Sequence, residues 1–302
     1  MKEYQNLIGN VPAFLECYLS LPMLKRLKNV GYFCGMDFAS KDVYHFPIYV
    51  SRYDHSLSTA LLTWRFSNNK KETIAALFHD VATPCFSHVI DYMNQDYEKQ
   101  ESTEEKTEEI LRKSKELEFL LKQDKLCVED IINFKKYPLV DNNRPKLCAD
   151  RLDGILITSL VWTKKLKLKE VEEIIRDITV YKNEEKECEL GFETYSIGSK
   201  LIYLNHFIDE YCHSSYDNYM MTLLADLTKY ILEKKVITYD DLYILDEKGL
   251  FEICENFAKK DTYFQTKLNH FKNVKLKDIP ITILDQVKKR RINPLIQGRR
   301  YE

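Results

Sequence analysis

The sequence has no CxxC and no paired cysteine spacing, although it carries eight cysteines: Cys17, Cys34, Cys85, Cys127, Cys148, Cys188, Cys212 and Cys254. Most sit in apolar settings, which argues against a disulfide framework or a zinc knuckle and for reduced thiols. An excess of either charge is also missing. A formal net charge of −2 points to no partner, since a nucleic-acid binder needs its positive charge gathered locally. The opening stretch MKEYQNLIGN has no apolar signal core, and nowhere is the chain apolar for a membrane-spanning length. The expectation is a cytoplasmic protein without a membrane partner.

What is present fits a soluble globular chain: 302 residues, 44% hydrophobic and 30% charged. That length allows one large helical domain or a core with a small appendage. Composition shifts after about Glu233, which divides the chain into a core over 1–232 and an appendage over 233–302. Apolar spacing predicts helical structure within 8–27, around Pro12, and a helix over 51–66 whose core face is Leu57, Ala60, Leu61 and Trp64. Residues 97–123 read as a solvated charged helix, 182–200 as a polar loop lying over the site, and 205–224 as a further helix.

The chain is organised around AALFHDVATPCFSHVID, residues 75–91. An apolar run, Ile74 to Phe78, ends at His79-Asp80; Pro84 then interrupts before a second apolar stretch. Adjacent His and Asp do not face the same way on a regular helix, so both reach one ion only where the helix is ending. A divalent metal there takes imidazole nitrogen from one and carboxylate oxygen from the other. A helix end with a capping His and a solvated Asp explains a lone pair equally well. Against that plain reading stand candidate partners on both sides. His55 lies at the start of the 51–66 helix, close to Arg52. Asp150, Arg151 and Asp153 interrupt the core face of the 146–160 helix, and acidic groups on an apolar face are costly to bury unless paired or metal-bound. An Asp–Arg surface pair is the alternative there.

His55, His79-Asp80 and Asp150 form an H…HD…D series within RYDHSL, LFHDVATPCFSH and ADRLD. This resembles the HD-domain metal-dependent phosphohydrolases, nearest the deoxynucleoside-triphosphate triphosphohydrolase branch. The resemblance implies an all-α HD-domain helical bundle, here with a C-terminal extension containing a few short strands. It also implies one divalent transition metal (Fe, Mn, Ni, Co or Zn), less often two, held by His55, His79, Asp80 and Asp150. Such an ion acidifies bound water and polarises a phosphoryl oxygen. Arg52 and Arg151 match phosphate contacts, with Asp153 and Glu104 on the substrate side. His88 and Asp91 match an active-site pair, His88 as general acid/base oriented by Asp91, and Asp80 belongs to the catalytic set.

Departures from that branch concern its catalytic and sugar-reading groups. Thr83 stands where a His is expected four residues after the metal His, Thr103 precedes Glu104 where another His is expected, and Gly154 and Thr158 replace a tyrosine and an aspartate. Alarmone hydrolases carry an acidic pair where this chain has VATP, and the GYP motif of cyclic-dinucleotide phosphodiesterases is missing. The expected function is hydrolysis of a phosphate ester or anhydride of a nucleotide or other small phosphorylated molecule. A catalytically reduced nucleotide-binding regulator and a nucleic-acid-acting protein are the alternatives. The basic stretch 275–300 reads as an oligomer contact or an anionic effector site, with nucleic acid less favoured because no aromatics interleave its charges, or equally as a strand and extension packed on the core.

Overall fold

The computed structural model describes residues 1–96, 104–281 and 288–300. Three short helices open the chain, α1 (Lys2–Ile8), α2 (Ala13–Leu19) and α3 (Pro22–Leu27). The helix that follows, α4 (Arg52–Ser67), begins where Ser51 and Asp54 cap each other. The Asp54 amide donates to Ser51 Oγ at 3.1 Å and the Ser51 amide donates to Asp54 Oδ2 at 3.0 Å. This reciprocal cap fixes Arg52 and His55 in the first turn. An isolated bridge between Gly31 and Ser51 lays Tyr32 alongside that turn.

Asn69 caps α5 (Lys70–Phe78), whose Ile74, Ala75, Leu77 and Phe78 are all buried, and the helix ends at His79. Next come α6 (Val89–Met93), α7 (Thr107–Lys113), α8 (Lys115–Gln123) and α9 (Glu129–Ile132). Over the described part of the predicted surface helix, 104–123, there are two helices, parted at Ser114, which caps the second by accepting from the Leu117 amide; 97–103 lie outside the described residues. Its stripe is not solvated throughout, because Leu111, Leu117 and Leu121 are buried. Thr103 lies outside the described residues, as does the second half of the β-branched run at 279–284.

Helix α10 (Ala149–Val161) carries the ADRLD motif and leads to α11 (Leu168–Asp177). A correction follows at 182–200. The chain forms an antiparallel hairpin there, β1 (Ile178–Lys182) with β2 (Cys188–Phe192), and Val180 faces Leu190 across it. The β-branched and aromatic run Ile178–Tyr181 favours a strand, a signal the polar turn conceals. The predicted 205–224 helix is also two helices, α12 (Tyr195–Cys212) and α13 (Ser215–Glu233), the second capped by Ser214. After α14 (Asp241–Ile244), α15 (Glu247–Ala258) and α16 (Thr262–Asn273), the basic segment returns as β3 (Leu295–Ile296) and β4 (Arg299–Arg300).

The molecule is mostly helical, and one four-stranded sheet in the order β1-β2-β3-β4 qualifies the all-α expectation. Strand β3 runs parallel to β2, pairing Gly191 with Leu295. A Cβ at Gly191 would come 2.5 Å from the Leu295 carbonyl oxygen, so this crossing accepts only glycine. Buried apolar residues fall into two clusters, one containing Phe33 and Ile155, the other Met36, Tyr44 and Met221. All five line one cavity, which therefore sits where the clusters meet. No helix among the described residues is long and apolar enough to cross a membrane.

Candidate metal centre

The histidine of α4 and the one ending α5 turn the same ring nitrogen towards each other. His55 gives its Nδ1–H to Asp153 at 2.7 Å, and His79 gives its Nδ1–H to the Ala76 carbonyl at 2.7 Å. With both Nδ1 positions spent as donors, both Nε2 atoms are left to take a proton or a metal ion, and they stand 3.3 Å apart. Carboxylates close the group. Asp150 Oδ1 lies 2.9 Å from His55 Nε2 and 3.5 Å from His79 Nε2, while Asp80 oxygens lie 3.9 and 3.8 Å from the same two atoms. Ligands at about 2.1 Å from one ion stand about 3.0–3.4 Å apart, so this group is close to metal-binding dimensions. His55, His79 and Asp80 form a group able to hold a metal. Facing lone pairs beside two carboxylates repel unless a cation joins them, so the residues fit a divalent ion.

The same electrostatics govern protonation. Burial pulls the His55 imidazole down, but Asp150 and Asp153 outweigh it and raise its pKa to about 10. Burial pushes the Asp80 carboxyl up, yet His79, Arg52 and His55 together hold it below the usual carboxylate range. Positive charge is therefore strongly favoured at the centre of the cluster.

Arg52 is buried against this group. Its guanidinium donates to Asp80 Oδ2 at 2.9 Å and to Ser87 Oγ at 3.2 Å, and lies over the Tyr32 ring at 5.0 Å. Ser87 reaches it from an unusual turn: Phe86 and Ser87 both adopt left-handed φ, 65° and 47°. Each such non-glycine residue costs about 1–3 kcal/mol and persists only where neighbours hold it. Glu247, at the start of α15, is one holder, since its Oε1 accepts the Phe86 amide at 2.9 Å. The turn delivers His88, which gives Nδ1–H to buried Asp91 at 2.8 Å and lines the cavity. Burial lowers the His88 pKa against the opposing pull of Asp91, which favours neutral imidazole with Nε2 as its acceptor.

Residues expected on the substrate side are placed unequally. Glu104 lines the cavity, paired with Lys135 at 2.7 Å. Arg151 lines it too, but its guanidinium braces the preceding loop, donating to Asn142 Oδ1 at 2.7 Å, to the Asn142 carbonyl at 2.6 Å and to Asp141 at 3.3 Å. Asp153 is corrected. Its side chain is 0% exposed, and it accepts from both His55 and the Tyr4 hydroxyl, the latter at 2.5 Å. It therefore stands behind His55, on the side of the ring away from the cluster, and does not line the cavity. Thr83 is buried and its carbonyl accepts from Arg26, whereas Thr158 lines the cavity.

The cavity measures about 580 Å³ and extends past Phe46 and Trp162 to Tyr44, Asn205 and Asp217. Tyr44 donates to Asp217 at 2.6 Å, and burial raises the Asp217 carboxyl to about 7. Lys288 and Arg290 bring the basic stretch to the cavity wall, and Tyr32, Asp217 and Arg144, which line it, and Tyr4, which lies behind His55 through Asp153, were not singled out in the sequence. No spacing ties them to the motifs.

Residues 52–155 match the HD domain family. YdhJ of Bacillus subtilis, an uncharacterized protein, is 28% identical over 147 residues, which is 49% of this chain and 43% of that protein. The metal-dependent phosphohydrolase cns2 of the fungus Cordyceps militaris is 26% identical over 132 residues, 44% of this chain and 37% of that protein. The matched stretches cover less than half the length of either relative. These likenesses support the HD superfamily, and none of them singles out the triphosphohydrolase branch.

Proposed function

We propose that this protein is a metal-dependent phosphohydrolase acting on a small phosphorylated molecule, with a nucleotide as the favoured substrate. One observation carries the reading: two imidazole Nε2 atoms 3.3 Å apart, each fixed by an Nδ1 hydrogen bond, with Asp80 and Asp150 beside them. The HD match over this stretch and the name of the Cordyceps relative, a metal-dependent phosphohydrolase, agree with it. A divalent ion held there supplies Lewis acidity towards a phosphoryl oxygen and acidifies water.

The chain's own groups do the rest. Arg52 is shared between Asp80 and Ser87, where it meets an equatorial phosphate oxygen and fixes the phosphate relative to the cluster. His88 Nε2 takes the proton of the attacking water while Asp91 steadies the imidazolium, and it gives that proton to the oxygen that leaves phosphorus. One P–O bond forms and one breaks, yielding free phosphate (or a shortened phosphate chain) and the protonated leaving group. The reach past Phe46 and Trp162 offers aromatic faces to a base, and Asn205 and Asp217 offer polar edges for it.

The test is a hydrolysis screen of metal-reconstituted protein against nucleoside mono-, di- and triphosphates, cyclic nucleotides and an aryl phosphate. Metal content is measured alongside, with Asp80→Ala as control. Turnover of one class that vanishes in the control supports the reading; a fully metallated protein that turns over nothing overturns it.

A further inference from the structure

Several interior tyrosines of this chain spend their hydroxyls on protein partners. Tyr18 donates to Asp124 at 2.7 Å, Tyr44 to Asp217 at 2.6 Å, Tyr92 to Asn218 at 2.9 Å and Tyr4 to Asp153, as a buried phenol ordinarily does. Tyr32 differs from these. It is half-buried and lines the cavity, and among the described residues its hydroxyl has no hydrogen-bond partner.

The rest of the residue is firmly held. Its amide donates to the Val50 carbonyl at 2.9 Å, beside the Arg52 amide on the Val30 carbonyl at 2.8 Å, so one short ladder fixes both residues. The ring stands 5.0 Å from the Arg52 guanidinium, 5.0 Å from the His55 ring and 5.3 Å from Phe33. A rigid O–H beside the metal cluster, unspent within the chain, is a donor already ordered for a ligand.

Helix α10 shows which part of a ligand it would meet. Asp150, Gly154, Thr158 and the capping Trp162 line the cavity at four-residue spacing, a stripe that runs from the cluster to the aromatic end. Each step along it advances about 6 Å. Gly154 leaves the space for the phenol, since a Cβ there would meet the Tyr32 hydroxyl oxygen at 2.9 Å. The hydroxyl therefore lies one turn beyond Asp150, between the place of the cut phosphate and the place of the base. In a nucleotide that stretch is the sugar.

We propose that Tyr32 is a substrate-contacting residue whose hydroxyl hydrogen-bonds a sugar hydroxyl of the nucleotide. The substrate class is then a nucleotide with a free sugar hydroxyl rather than an aryl or alkyl phosphate. Tyr32 precedes the 52–155 stretch that matches the HD domain, so the matched motifs do not supply this contact. The proposal rests on the phosphohydrolase reading for where the phosphate sits, but it is tested without turnover. Nucleosides carry no phosphate to cut. The metal-reconstituted full chain, with inorganic phosphate filling the cluster, is titrated calorimetrically with the common nucleosides, each in its ribo, 2′-deoxy and 2′,3′-dideoxy form.

For the base that binds best, the dideoxy form should bind about tenfold more weakly than the ribo form, the scale of one hydrogen bond. Tyr32→Phe should abolish that difference and leave dideoxy binding unchanged. Because the hydroxyl has no partner in the chain, Tyr32→Phe should also keep the urea midpoint of the wild type. If it does not, Gly154→Ala, whose methyl displaces the hydroxyl, decides by the same ratio. Equal binding of all forms by the wild type, a difference that survives the deciding variant, or no nucleoside binding at all overturns the contact even if the protein proves to be a hydrolase. A protein that turns over nothing yet loses the difference in Tyr32→Phe keeps the contact and loses the enzyme.

Discussion

The hydroxyl oxygen of Tyr32 stands 2.9 Å from the point a Cβ on Gly154 would occupy. Tyr32 reaches that place from the strand-like bridge beside Ser51, and its ring lies 5.0 Å from the His55 ring. The small residue in the ADRLDG turn thus makes room for a tyrosine delivered from another part of the chain. Gly154→Ala should gain helix propensity, about 0.8–1.0 kcal/mol, only where that hydroxyl is gone. Urea denaturation should show the full gain in a Tyr32→Phe background and a smaller gain, or a loss, in the wild type. Equal effects in both backgrounds would disprove the contact.

Asp153 should matter to the metal without touching it. Asp153→Ala removes the acceptor that holds His55 with Nε2 towards the cluster, and such outer partners are worth about 10–100-fold in metal affinity. Competition against a chromophoric chelator reads this directly, and unchanged affinity would refute the orienting role.

His88 should separate chemistry from metal binding. His88→Ala is expected to lower kcat by about 10²–10⁴, the usual reach of general acid–base catalysis, with metal content unchanged. Burial lowers the His88 pKa, so the neutral base survives to more acidic pH. The acid limb of the rate profile should therefore fall below the ordinary imidazole value of about 6.5. A limb above that value would contradict the assignment.

Glu247 should make stability pH-dependent. Its side chain is 1% exposed and Oε2 has no hydrogen-bond partner; burial raises the carboxyl to about 8. The groups facing it are Asp37, Arg26, Arg52, Tyr49 and Cys85. A raised carboxyl binds more protons folded than unfolded, so its contribution is complete below the unfolded value, about 4.3. That contribution declines as pH climbs to about 8, by up to about 1.4 kcal/mol per pH unit. Glu247→Gln keeps an acceptor for the Phe86 amide and cannot titrate. Relative to it, the wild type should lose stability between about pH 5 and 8, and parallel urea midpoints across that window would refute this.

The clustering of His55, His79, Asp80 and Asp150 was legible because each sits at a helix end that announces itself: Ser51 with Asp54 before His55, the apolar run before His79-Asp80, and acidic residues breaking the face of α10. Local signals of that kind survive in sequence. Tyr4 and Tyr32 left none, since they act across 149 residues of separation in one case and through a glycine-sized gap in the other. Asp153 was assigned to the wrong side of His55 because helical spacing gives a direction but not which neighbour fills it. The 182–200 hairpin was missed because its polar turn outweighed its strands in composition. The basic segment packs on its own chain, as one of its sequence readings had it. Charge density is visible in sequence, whereas the carbonyl of Pro145 and the helix α12 that hold the segment are not.

The parallel pairing of Gly191 with Leu295 also sets an order of events during synthesis. Strand β2 leaves the ribosome about a hundred residues ahead of its partner, an interval on the order of ten seconds at roughly 5–20 residues per second. Through that interval its edge presents unpaired amides and carbonyls to whatever strand is near. The nascent chain is thus exposed to a wrong neighbour just before the cavity wall is completed, and folding helpers that shield β2 during translation should raise the yield of competent protein.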